Sequence, residues 1–336
     1  MLRFFKTLSG LGDRIRRAEE RIRLVHHYQD AMWFAFNEHR REMRTVLTSI
    51  ALPDASVWRN QPPLVPGQPA ENAFPVATLC RQSSFEQPYF SFWTGRLGET
   101  LRYHRKLWEF VFICQALWER GAVKPGARGL GFGVGLEPLP AFFASEGCEI
   151  VATDLSSDAA IAEGWAQSSQ HAMDKESLRR PLVCPDDLFE RNVSLRQCDM
   201  NAIPADLTDF DFCWSACALE HLGSIEKGLD FIVNSVACLK PGGWAIHTTE
   251  FNLNSNDETV DNQATVLFRR RDLEALAERL NAAGHRAAVF DFEPGDRPLD
   301  LYLDLPPYRV EPHLAAALMG FAITSIGVIV QRGPTA

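Results

Sequence analysis

The chain has 336 residues, 46% of them hydrophobic and 23% charged, with 22 Gly, 20 Pro, 8 Cys and a formal net charge of -9. This composition is that of a globular protein and excludes a disordered, collagenous or disulfide-miniprotein chain. The acidic balance argues against nucleic acid as a partner, because phosphate contacts need clustered Lys and Arg.

The first eleven residues carry Arg3 and Lys6 beside Phe4, Phe5 and Leu8, yet the apolar stretch is too short for an export signal. The eight cysteines are scattered without a Cys-x-x-Cys pair and read as reduced core thiols of a cytoplasmic protein. From Asp13 to Ile50, Ile15, Ala18, Ile22, Val25, Met32, Phe36, Met43, Val46 and Ile50 recur at spacings of three and four. That seam predicts a long helix that forms a homo-oligomer contact or folds back on its own domain; Leu2, Phe4 and Phe5 add the option of peripheral membrane contact. Prolines at 53, 62, 63, 66, 69 and 75 then forbid regular structure and mark a strap. Leu101 to Arg120 has helical periodicity and stops at Gly121. Three segments are expected: residues 1–50, a strap and helical cap over 51–120 with possible acceptor contacts, and a catalytic domain over 121–336.

After Lys124-Pro125-Gly126 short apolar runs alternate with helical stretches. Strands are expected at Arg128 to Gly131, Glu149 to Thr153, Leu195 to Cys198, Phe210 to Ser215, Trp244 to Thr249, Ala287 to Phe292 and Ala322 to Gln331. Helices are expected at Pro138 to Glu146, Ile225 to Leu239, Arg271 to Ala283 and Glu311 to Met319. The alternation predicts an α/β fold, a seven-stranded, mainly parallel sheet with helices on both faces and a final antiparallel pair. No apolar run reaches the roughly 18 to 20 residues of a transmembrane segment; Leu314 to Val330 is broken by Gly320 and Gly327.

Gly131-Phe132-Gly133-Val134-Gly135 follows the first of these strands and opens a helix, placing backbone amides at the edge where open α/β sheets bind nucleotides. Asp154 ends the second strand, where a carboxylate can accept both ribose hydroxyls. Asp199 ends the third, with Met200 as an apolar neighbour.

With Phe210 to Leu222 (FDFCWSACALEHL) and Leu239-Lys240-Pro241-Gly242-Gly243-Trp244, this order resembles the class I S-adenosylmethionine-dependent methyltransferases over about Gly126 to Gly333. The resemblance implies a Rossmann-like sheet and S-adenosyl-L-methionine as cofactor. It also implies that Gly131, Gly133 and Gly135 line the methionine part, Asp154 with Leu155 the ribose, Asp199 and Met200 the adenine, and Ser215 and Ala216 the floor. One position departs: the family carries an acid two residues before its first loop glycine, and here that place is Gly129. Glu137 is the candidate to compensate from the opposite side. The departure leaves open a degenerate fold used as a binding or scaffold module. An NAD-dependent oxidoreductase is disfavoured, because the dinucleotide fingerprint needs a glycine where Leu136 stands.

Transfer to a hydroxyl needs a base. His221, His247 and Glu250 are the candidates near the sheet's C-terminal edge, with a buried, hydrogen-bonded core role as the equal alternative for His247, and no tight ligand spacing supports a metal site. Arg81, Gln82, Tyr89, Phe90 and Trp93, with Asn252, Asn254, Asn256 and Asp257, are candidate acceptor contacts for a saccharide or other small metabolite, the aromatics having a core packing role as the alternative. The strap, Thr248 to Asn252 and Ile323 to Gly327 also resemble bacterial methyltransferases of surface-polysaccharide assembly.

Overall fold

The structure, a computed structural model, describes residues 67–155, 172 and 174–334, with Arg21, Val25, Tyr28, Gln29 and Met32. The chain divides into two units, residues 1–52 with 305–307 and residues 53–304 with 308–336. In the first unit the five described N-terminal positions are helical and exposed. The rest of the expected Asp13 to Ile50 helix, its self-association or membrane docking, and the strap up to residue 66 lie outside the described residues.

In the second unit β1 (Ala77–Thr78) pairs in parallel with β8 (Phe290–Asp291). The main sheet contains β2 (Arg128–Phe132), β3 (Glu149–Asp154), β4 (Val193–Gln197), β5 (Phe210–Ala216), β6 (Leu239–Asn252), β7 (Arg286–Ala287), β9 (Leu303–Asp304), β10 (Ala315–Leu318) and β11 (Phe321–Gln331). Its order is β4-β3-β2-β5-β6-β11-β10-β9, with β7 also on β11. The strands from β4 to β6 are parallel, and β11 runs antiparallel to β6. The chain leaves β2 to one side and returns as β5 on the other, which opens a crevice between them at the carboxyl ends.

Helices α1 (Gln82–Phe85), α2 (Pro88–Arg96), α3 (Arg105–Glu119) and α4 (Leu139–Ser145) contribute to a core that includes Phe212, Trp214, Ile246 and Ile329. Helices α6 (Ile225–Ala237) and α7 (Arg270–Ala282) share the other core with Leu130, Phe132, Cys213, Ala245 and Val328. Alternation along each strand assigns these residues to opposite faces. Helix α5 (Asp186–Asn192) leads into β4. α3 begins where His104 Nδ1 accepts from the Lys106 N–H at 3.0 Å, and it is buried from Leu107 to Leu117.

Two expectations are corrected. Residues 311–319 are not a helix: only seven residues separate Pro312 from Gly320, which has φ of +94°, and Ala316 to Leu318 instead pair antiparallel with β11. The break expected near residue 120 is absent, since α3 and the sheet share one core. Its seat requires Gly327 on β11, where an added Cβ would lie 2.0 Å from the Phe112 ring. Gly327→Ala is expected to destabilise the fold by about 1–3 kcal/mol, and Phe112→Leu in the same chain to restore part of it, as read by denaturant unfolding.

Candidate active site

At the C-terminal edge of the sheet lies a cavity of about 830 Å³ lined by Gly133 to Glu137, Asp154, Leu155, Cys198 to Asn201, Ala216 to Ala218, His221 to Gly223, Lys227, Asn262 to Ala264, and Lys106 and Phe110 of α3. Gly133 and Gly135 have φ of +57° and +49°, the left-handed region that glycine enters freely. A Cβ on Gly133 would also come within 2.9 Å of Ala218 Cβ and 3.2 Å of Met200 Sδ, so the loop can be approached closely only as glycine. Asp154 Oδ2 accepts from the Gly135 N–H at 2.9 Å and the Ala172 N–H at 3.1 Å, and Oδ1 from the Leu155 N–H at 2.8 Å. Asp199 Oδ1 accepts from the Asn201 N–H at 2.8 Å. Gly133, Gly135, Glu137, Asp154, Leu155, Asp199, Met200, Ala216 and His221 thus meet around one space. The glycine cradle and the successive acids fit an adenosine cofactor.

Four expected residues fall outside it. Gly131 does not line the cavity; it pairs with Trp214, and its Cβ would meet that indole at 2.5 Å. Ser215 shares a face with Cys213 and turns into the core, where its Oγ is 2.8 Å from His247 Nδ1. His247 is fully buried, its Nε2 3.0 Å from Ser235 Oγ and its ring edge-on to Phe231; burial pulls its pKa down to about 3. It is a core residue rather than a base. Glu250 is taken up by Arg105, Nη2 to Oε1 at 2.5 Å, and lies behind the cavity.

The candidate acceptor contacts are corrected as well. Tyr89, Phe90 and Trp93 are core, Gln82 is buried against Glu86, Leu299 and Asp300, and Arg81 pairs with Asp291. Asn252 ties the turn after β6, Asn254 accepts from the Ala322 N–H, and Asn256 accepts from the Arg271 N–H at 2.8 Å. Asp257 pairs with Arg271 at 3.3 Å.

Behind the cavity, α3 carries a buried ionic group that motif reading did not reveal, since it precedes the glycine loop by about one helix. Lys106 Nζ is 3.1 Å from Glu109 Oε2 and donates to the Ala216 carbonyl at 3.0 Å. Cys217 Sγ and Ser325 Oγ donate to Glu109 Oε1 at 2.9 and 2.6 Å. Burial alone would raise the Glu109 pKa, but Lys106, Arg105 and these donors bring it below the usual carboxylate value. Burial keeps Cys217 a protonated thiol, and raises Glu220, whose Oε2 accepts from Thr249 Oγ1 at 3.0 Å. Among the described residues no His, Cys, Asp or Glu cluster is suited to a metal ion.

Gly129 faces Phe212, and a Cβ there would sit 2.5 Å from that ring and 2.8 Å from Ile150 Cδ1. Gly129→Asp is therefore expected to cost about 1–3 kcal/mol of stability in denaturant unfolding. Glu137, across the loop, is buried and accepts from Trp214 Nε1 at 2.6 Å. Burial pushes its pKa from 4.5 up to about 8, Asp154 and Glu109 adding to the rise while the indole and Lys106 oppose it. The folded form thus holds a proton that the unfolded chain loses, so this stability is present below about pH 4.5 and lost as pH rises through about 8. Glu137→Gln is expected to melt above the wild type at pH above about 8, with the gap closing towards about pH 5; identical melting across that range would contradict a buried acid.

Residues 129–247 match the family model described as a methyltransferase domain. A search of curated proteins finds no match. Among solved structures, a putative sarcosine dimethylglycine methyltransferase from Galdieria sulphuraria is 13% identical over 74% of this chain and 99% of that one, with a TM-score of 0.43. An S-adenosylmethionine-dependent methyltransferase from Mesorhizobium loti is 14% identical over 65% and 96%, with a TM-score of 0.39. A Haemonchus contortus phosphoethanolamine N-methyltransferase 2 solved with S-adenosyl-L-methionine is 17% identical over 59% and 42%, with a TM-score of 0.35. The matched segment runs from β2, the strand before the glycine loop, into β6, so the chain carries a methyltransferase domain.

Proposed function

We propose that the chain methylates a hydroxyl oxygen of a small polar acceptor, a saccharide unit, with His221 taking the proton. The observation that carries this reading is the exposed side of the cavity, where Asn201, His221, Lys227, Asn262 and Gln263 stand together. Amide and ammonium groups there can meet several hydroxyls at once, as a sugar ring requires. The sequences resembling surface-polysaccharide methyltransferases point the same way, and eight free thiols suit the cytoplasm.

When bound, S-adenosylmethionine supplies a methyl group on an already activated sulfonium, so positioning provides much of the rate. Asp154 would hold the ribose hydroxyls, and Asp199 with Met200 would border the adenine, all three lining the cavity. His221 Nδ1 donates to the Ala264 carbonyl at 3.0 Å, with Thr265 Oγ1 at 3.2 Å. In the neutral ring that tautomer puts the lone pair on Nε2, the atom that takes the acceptor's proton. Leu222 and Phe110 supply apolar wall.

The test is methyl transfer from labelled S-adenosylmethionine to a panel of nucleotide sugars, glycans and amines. Label in sugar hydroxyls is expected; label in amines alone would overturn the reading. His221→Asn is expected to lower kcat by about 10²- to 10⁴-fold with S-adenosylhomocysteine affinity unchanged, and an unaltered kcat would remove His221 as the base.

A further inference from the structure

We infer that the edge of the sheet opposite the catalytic cavity carries a second ligand site, one that takes a small molecule bearing a phosphate group. The inference does not depend on the acceptor proposed above. An open cavity of about 660 Å³ lies where the first residues of β6, the C-terminal end of α7 and the segment after β11 meet. Gly242 lines it, whereas Thr248, six residues further along β6, pairs with Ala216 at the catalytic cavity. Six residues of strand span about 20 Å, so the two cavities are separate.

Arg286, Arg332 and His285 line this cavity, and no carboxylate does. That is unusual in a chain with 43 acidic residues against 34 Lys and Arg. On the adjoining α7, Arg271 pairs with Asp257 and Arg279 with Asp230. Neither Arg286 nor Arg332 has a carboxylate partner among the described residues. Arg332 Nη1 donates to the Ala237 and Leu239 carbonyls after α6, which fixes the guanidinium through one of its three nitrogens.

The neutral side chains are also turned towards donation. Asn281 Oδ1 accepts from the Ala287 N–H at 3.1 Å, which leaves its amide N–H groups as the free end. His285 Nδ1 accepts from the Gly333 N–H at 3.3 Å, so the neutral ring carries its proton on Nε2. Burial and the neighbouring Arg332 charge hold that ring below the usual histidine pKa of 6.5, hence neutral at pH 7. Gln331 contributes an acceptor, because its Nε2 is engaged by the Gly242 carbonyl at 3.2 Å. Two guanidiniums, an amide and an imidazole N–H thus converge without an acid, and a phosphate dianion offers the several acceptor oxygens that such donors require. The rings of Pro241 and Pro334 supply apolar wall for the organic part.

The frame that carries these donors is tightly held. Gly242 N–H donates to the Arg332 carbonyl at 2.9 Å and Arg332 N–H to the Gly243 carbonyl at 2.8 Å. Arg286 pairs with Gln331 across β7 and β11. Gly333 approaches so closely that a Cβ there would lie 1.9 Å from the Gly284 carbonyl oxygen.

The test is calorimetry on the full chain with inorganic phosphate, glucose 6-phosphate and glucose. Both phosphate probes are expected to bind, and glucose is not. Arg286→Gln is expected to weaken both about 10- to 100-fold with thermal melting unchanged, since Arg286 is exposed. Arg332→Gln is expected to weaken them similarly; because Arg332 also ties the end of α6, Arg286→Gln is the deciding variant. Lys227→Met, which removes an exposed cation of the catalytic cavity, is expected to leave phosphate binding intact. Binding that survives Arg286→Gln, or that is lost in Lys227→Met, overturns the site. Wild-type protein that binds neither phosphate probe, or binds glucose as well as its phosphate, overturns it too.

Discussion

Glu109 is a carboxylate without accessible surface, and the seating of α3 on the sheet depends on its being satisfied. Arg105 and Lys106 approach it from its own helix, Cys217 from the end of β5 and Ser325 from β11. Arg105 also reaches Glu250 at the end of β6. A buried charge left alone costs several kcal/mol, so these groups constrain one another strongly. One helix is thereby locked to three strands, and its first turn becomes a wall of the cavity. Phe112 and Trp108 supply the apolar part of the same seat.

A second constraint is an exchange of volume across β2 and β5. Gly129 faces Phe212 and Gly131 faces Trp214, so the aromatic rings lie where side chains of β2 would be. An acid on β2 is thereby lost, but the indole N–H gained on β5 holds Glu137 on the other side of the loop. The aromatic pair is thus the physical reason that β2 carries glycine at position 129.

Much of the site was legible because glycines and acids at strand ends have few alternative uses in an α/β sheet. Gly133, Gly135, Asp154, Asp199 and Met200 all reach the cavity from successive strands. Ser215 was misplaced, and the two readings of His247 stayed open, because strand alternation turns on where the face begins: Ala216 faces the cavity, so its neighbour must turn away. Tyr89, Phe90 and Trp93 look the same in sequence whether they stack on a sugar or fill a core, and only packing decides. The stretch 311–319 was ambiguous for a similar reason, a run of alanines that edge pairing draws into a strand. Lys106 carried no signal, since its meaning comes from a strand more than a hundred residues later.

The first turn of α3 lies outside residues 129–247, the segment that matches the methyltransferase domain. A boundary drawn at the edge of that match would divide one hydrophobic core and remove a wall of the cavity. Occupancy of the cavity and docking of α3 are consequently linked equilibria. Any small molecule that engages Lys106, which lines the cavity, would favour the docked helix by mass action.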